Sequence, residues 1–181
     1  QEGAVYLEVG VFAGATFCAA VQNNDMVAAY ANDNWSQPDL QPSREDLELT
    51  LENVTVDTFV QNLQENITTD SLDFDIQVLK GDSSGLGKKD FKHDVNIIFY
   101  DGDNSEQKMR EFFLNMLDFT EDVFTLVVDD ANIQENVAIT KRFIDAMGLK
   151  ILYERELLND LEDVNMWWNG LYVVVLSKSK V

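Results

Sequence analysis

Strand-length apolar runs alternate with helix-length amphipathic ones along this chain, and that alternation limits the fold more than any other feature. The strand candidates are Ala4–Val9, Met26–Ala31, Phe74–Leu79, Val95–Tyr100, Phe124–Val128, Lys150–Glu154 and Leu171–Leu176. The helix candidates are Gly14–Gln22, Val56–Asn66, Glu106–Leu117 and Asn136–Met147. Val56, Phe59, Val60 and Leu63 fall at helical spacing, as do Met109, Phe112, Phe113, Met116 and Leu117. Ser43-Arg44-Glu45-Asp46 starts like a capped helix, and Gly148 is placed to close the helix before it. Repeated strand–helix units imply right-handed crossovers and a mostly parallel sheet with helices on both faces. No convincing helix separates the last two strands, so the last strand is expected to insert antiparallel. The expected class is α/β, a doubly wound seven-stranded sheet in one domain spanning the 181 residues.

Two of these runs end on carboxylates. Val95–Tyr100 leads into Asp101-Gly102-Asp103, and Phe124–Val128 leads into Asp129-Asp130. If the two strands are parallel neighbours, four carboxylates converge at the sheet edge where open α/β sheets bind ligands. Like charges at that spacing need protons or a cation between them. The pattern asks for a divalent metal, a cationic ligand, or both.

The formal net charge of −20 removes one class of partner. Nucleic acid is held through its phosphates by a basic footprint, which this chain lacks. A solvated acidic surface, of the kind a saline environment favours, explains the charge more simply than a docking face for a basic partner. No apolar run is long enough to span a membrane, and no leader pattern is present. Cys18 is the single cysteine and reads as a small core residue in a reducing, cytoplasmic setting. His93 reads as a loop-edge residue, and Trp167-Trp168 as a core or hairpin anchor.

Three further motifs sit at the ends of the first three strands. Glu8-Val9-Gly10-Val11-Phe12-Ala13-Gly14-Ala15-Thr16 is a strand end, a tight turn and a helix start. Its glycines would let backbone approach a ligand, and the helix start would offer free N–H groups. A plain strand-to-helix turn would look similar. Asp33, just past the second strand, can accept a pair of ribose hydroxyls, as could any loop Asp. Gly81-Asp82-Ser83 could read an adenine amino edge or simply cap a turn.

In chain order these motifs resemble those of the class I S-adenosylmethionine-dependent methyltransferases, whose fold is Rossmann-like. Ile98-Phe99-Tyr100-Asp101-Gly102-Asp103-Asn104-Ser105, Val127-Val128-Asp129-Asp130 and Trp167-Trp168-Asn169-Gly170-Leu171-Tyr172 narrow the resemblance. They are similar to stretches of the metal-dependent small-molecule O-methyltransferases that include the macrocin and novobiocin enzymes. The resemblance implies that Glu8, Gly10, Gly14, Thr16, Asp33, Asp82, Ser83 and Asp101 contact S-adenosylmethionine. It implies Asp101, Asp129 and Asp130 as ligands of Mg2+ or another divalent cation, and Asp103 as general base. The family has a His where this chain has Asn104, which cannot act as acid or base. It also carries N-terminal helices before the first strand, and here the sequence starts almost at that strand.

The chemistry agrees with the resemblance. A hydroxyl attacks a sulfonium methyl once it has lost its proton. A metal held by hard oxygens lowers the hydroxyl's pKa, and a neighbouring carboxylate removes the proton. The expected acceptor is a small hydroxylated molecule, with no nucleic acid and no membrane; an uncovered sheet edge would favour a homodimer. Two other readings remain open: a binding module that keeps the fold without turnover, and a polyamine-type aminopropyl transferase using Asp129-Asp130.

Overall fold

The computed structural model describes residues 3–22, 24–36, 54–67, 73–159 and 169–179. Strands β1 (Ala4–Val9), β2 (Met26–Asp33), β3 (Asp75–Lys80), β4 (Val95–Tyr100), β5 (Thr120–Asp129), β6 (Lys150–Leu157) and β7 (Leu171–Ser177) form one sheet. Its order is β3-β2-β1-β4-β5-β7-β6. β1 to β5 pair parallel, and β7 runs antiparallel to both of its neighbours. This is the α/β architecture expected from the alternation, with the last strand inserted as foreseen.

The helices are α1 (Ala15–Val21), α2 (Val56–Asn66), α3 (Glu106–Met116) and α4 (Gln134–Met147). The strands are apolar on both faces because both faces meet helices. Val5, Leu7, Val9, Ile98, Tyr100, Leu126, Val128 and Val174 face one way, onto Met109, Phe112, Phe113, Phe143 and Ile144 of α3 and α4. Tyr6, Ala29 and Ala31 face the other way, onto Phe17 and Phe59 of α1 and α2. Each large apolar side chain buried in this way contributes about 1.5–3 kcal/mol. Cys18 is buried in the second cluster, as a core residue should be. α2 begins with a reciprocal box between Thr55 and Thr58, and α4 ends on Gly148 at φ 63.

Some boundaries differ from the sequence expectation. β2 runs on to Asp33, so that residue closes the strand instead of following it. β5 starts at Thr120, although Glu121 and Asp122 are polar, because its first residue pairs with Val95 of β4. β6 continues through Arg155-Glu156-Leu157 as an exposed edge, held by β7 and not by burial. The capped-helix start at 43–46 and the Trp167-Trp168 pair lie outside the described residues. Among the described residues, no helix is long and apolar enough to cross a membrane.

Candidate functional site

The strand order reverses between β1 and β4. Loops leaving the carboxyl ends there diverge, and the crevice between them is where such sheets bind ligands. Gly10 and Asp101 are the first residues of those two loops. Gly10 has φ +86, and a Cβ on it would stand 2.0 Å from the Asp101 carbonyl oxygen. The Asp101 N–H donates to the Val9 carbonyl at 2.8 Å, and the Gly10 N–H to the Asn32 carbonyl at 2.8 Å. Gly14 has φ +90, and its Cβ would meet the Phe59 ring at 2.7 Å. Both glycines therefore have a packing reason to be glycine, alongside the ligand approach expected from sequence. Thr16 lies in the first turn of α1, a helix of seven residues.

Glu8 is fully buried beneath that turn. Tyr6 Oη donates to its Oε2 at 2.6 Å, and Thr16 Oγ1 to its Oε1 at 2.5 Å. Gly14 has no side chain with which to cap α1, and Glu8 reaches the first turn of that helix through the Thr16 hydroxyl. Burial pushes the Glu8 carboxyl up to about 7, offset by the Thr16 and Tyr6 bonds and reinforced by the charge of Asp129.

Asp33 ties the first two loops together. Its Oδ2 accepts from the Phe12 N–H at 2.8 Å and its Oδ1 from the Trp35 N–H at 2.7 Å. Phe12 and Trp35 both adopt positive φ, and the Trp35 indole N–H donates to the Phe12 carbonyl at 3.0 Å. Asp82 caps the 3-10 turn Ser83–Gly85. Its Oδ1 accepts from the Ser84 N–H and hydroxyl at 2.9 and 2.7 Å, and its Oδ2 from Lys108 Nζ at 2.6 Å. Lys108 first, then Ser84, hold its carboxyl down at about 2. Asn115 Nδ2 donates to the Ser84 carbonyl at 2.6 Å and fixes the turn to α3.

The carboxylates at the ends of β4 and β5 do converge. Burial pushes Asp101 up to about 8, and the charges of Asp129, Asp130, Glu8 and Asp33 add to it. Burial pushes Asp129 up to about 6; the Asp130 N–H, donating to Asp129 Oδ1 at 2.8 Å, opposes this, and the Asp130 charge adds to it. Asp103 stands apart from this group. It is exposed, its Oδ1 accepts from the Ser105 N–H at 2.8 Å, and its carbonyl accepts from Tyr100 Oη at 2.7 Å.

The ligand set of three carboxylates implied for Mg2+ is not assembled. Among the described residues, no three His, Cys, Asp or Glu side chains are gathered as metal ligands. Asp130 adopts φ 57, and its carboxylate is drawn to two amides: Oδ2 accepts from Asn104 Nδ2 and Oδ1 from Asn169 Nδ2, both at 2.8 Å. Asp101 and Asp129 accept from no such side-chain amide; the only hydrogen bond drawn to either carboxylate among the described residues is that of the Asp130 N–H to Asp129.

Sequence reasoning missed Tyr6, although residues two apart in a strand share a face and the Tyr6–Glu8 spacing was there to read. It also missed Asn169 as a partner of Asp130, for which turn-type composition gave no signal.

No protein-family model and no curated protein matches this chain. Solved structures do. TrmK of M. capricolum, in complex with S-adenosyl-homocysteine, superposes with a TM-score of 0.60 at 13% identity, over 99% of this chain and 64% of that one. Precorrin-6y C5,15-methyltransferase of Geobacter metallireducens gives 0.59 at 13% identity, over 98% and 81%. The N-methyltransferase NodS of Bradyrhizobium japonicum gives 0.58 at 13% identity, over 96% and 85%. The fold is thus the Rossmann-like fold found in S-adenosylmethionine-dependent methyltransferases.

Proposed function

We propose that this chain binds S-adenosylmethionine across the β1–β4 crevice and transfers its methyl group to a hydroxyl of a small molecule. The observation that carries the reading is the Gly10–Asp101 contact at the switch point, flanked by Asp33 at the end of β2 and Asp129 at the end of β5. S-adenosylmethionine supplies a methyl on positively charged sulfur beside an α-ammonium group. Glu8, Asp101 and Asp129 form a surround of carboxyls with raised proton affinities, which a bound cation would lower, favouring their charged forms. A carboxylate offers about four acceptor positions, so Asp33 can take ribose hydroxyls beyond its two backbone bonds. Ser83 and Asp82 sit at the nucleobase side, with Asp82 already shared between Ser84 and Lys108.

At the acceptor side, Asp101 and Asp129 would hold Mg2+, which would orient a hydroxyl and lower its pKa. Asp103, exposed and close by in sequence, would take the proton. The net charge of −20 supports a small acceptor over RNA, since phosphate contacts need basic residues. A cytoplasmic location and a homodimer complete the reading.

Calorimetric titration with S-adenosylmethionine and S-adenosylhomocysteine, with and without Mg2+, tests it. Micromolar binding of either, weakened at least tenfold by Asp33→Ala, is expected. No binding to the folded protein would leave the likeness as one of fold and favour a non-catalytic module.

A further inference from the structure

Asn104 departs from the family pattern, and the structure gives it a different task. Its Nδ2 donates to Asp130 Oδ2, and Asn169 Nδ2 donates to Asp130 Oδ1, both at 2.8 Å. One carboxylate thus joins the loop after β4, the loop after β5 and the turn before β7. The backbone is shaped to permit it: Asp130 has φ 57 and Asn169 φ 56, conformations that residues other than glycine adopt at a cost of about 1–3 kcal/mol each unless their surroundings impose them. The surroundings here are specific. The Ala131 and Asn132 N–H groups donate to the Gly170 and Asn169 carbonyls at 3.1 and 2.7 Å. The Asp130 carbonyl accepts from the Ile133 N–H at 2.9 Å at the start of α4.

Asn104 is also the residue between Asp103 and Ser105. The loop at Asp103 is therefore held at two points, by Tyr100 Oη donating to the Asp103 carbonyl and by the Asn104 side-chain amide donating to Asp130. We infer that Asp130 is a positioning residue: with Asn104 and Asn169 it forms a clamp that fixes the Asp103 loop, and it is not a ligand of any cation held by Asp101 and Asp129. This rests on the methyl-transfer reading only for what Asp103 does there; the clamp itself can be tested without it.

The test uses Asp130→Ala, Asn169→Gly, their double variant, and the exchange Asn104→Asp with Asp130→Asn. Asn169→Gly removes the amide while leaving the positive φ easy to adopt. The exchange keeps the net charge and rebuilds an amide–carboxylate pair in the opposite sense. The measurements are Tm and calorimetric binding of Mn2+ alone. A clamp predicts that the double variant loses no more Tm than the worse single variant. It predicts that the exchange recovers most of the Tm lost in Asp130→Ala, and that Mn2+ affinity changes less than twofold in Asn169→Gly and in the exchange, the two variants that keep the charge beside Asp101 and Asp129. If the exchange weakens Mn2+ tenfold or more while Asn169→Gly leaves it intact, Asp130 is a ligand and the inference is overturned. Additive Tm losses, or no recovery in the exchange, also overturn it. Should Asp130→Ala fail to fold, Asn169→Gly and the exchange carry both comparisons. Wild-type protein that binds no Mn2+ would count against metal assistance, and the Tm comparison would still decide the clamp.

Discussion

Glu8 concentrates the electrostatic tension of the site in one side chain. It is fully buried, and its carboxyl is pushed from an ordinary 4.5 up to about 7, chiefly by burial. Between those two values the native state binds more protons than the unfolded chain, so stability falls as pH rises. The contribution is complete below about 4.5 and is lost as pH passes through about 7, a difference on the order of 3 kcal/mol at about 1.4 kcal/mol per pH unit. Glu8→Gln removes the titrating group while leaving an oxygen to accept from Tyr6 or Thr16. Urea denaturation should therefore show the variant less dependent on pH from 5 to 8, and more stable than wild type at pH 8 though not at pH 5. Parallel pH profiles for the two proteins would mean that Glu8 stays ionised in the fold. The sequence placed Glu8 at the site from its position before Gly10. It could not show the burial, because that depends on α1 and α2 closing over the second face of the sheet.

At the scale of the element, the loop from β1 into α1 is built on two glycines whose constraints differ from that of Gly148. Gly10 combines φ +86 with a backbone oxygen 2.0 Å from where its Cβ would lie. Gly148 has φ +63 and nothing within 4 Å of that position. Gly148→Ala should thus cost only the conformational term, about 1–2 kcal/mol. Gly10→Ala must also separate the β1 and β4 loops, which puts its loss above about 4 kcal/mol, the range reserved for a specific structural failure. Denaturation midpoints of the two variants check this, and equal losses would show that Gly10 is needed only for its φ. The sequence located these elements because the apolar periodicity is strong: Met109, Phe112, Phe113 and Met116 are all buried, on the face their spacing defined. It misplaced the ends of β5 and β6, where Asp122, Arg155 and Glu156 are exposed, Glu121 is half-buried and only the pairing partner defines a strand. The same limit hid the clamp, since a hydrogen bond from Asn169 to Asp130 spans 39 positions of chain and leaves no local pattern.

Across the whole molecule, charge and topology pull in different directions. Thirty-three acidic residues face thirteen basic ones, and packing them around one sheet sets like charges within a Debye length of one another at low salt. Ion pairs relieve part of this, among them Lys108–Asp82, Lys141–Glu156 and Arg142–Glu135. Exposed pairs of this kind are each worth about 0–1 kcal/mol, too little to balance the excess. Raising KCl from about 0.1 to 1 M shortens the screening length from about 10 to about 3 Å, which weakens both the repulsion and the pairs. With the excess so one-sided, repulsion is the larger loss, so Tm should rise by about 5 °C, or roughly 2 kcal/mol for a chain of this length. A scan of Tm against KCl at pH 8, where the carboxylates are most ionised, reads the sign directly. The rise should shrink at pH 5, where protonation of Glu8, Asp101 and Asp129 has already removed part of the repulsion. A Tm that falls with salt would show that the paired cations, few as they are, are placed well enough to outweigh the unpaired acids.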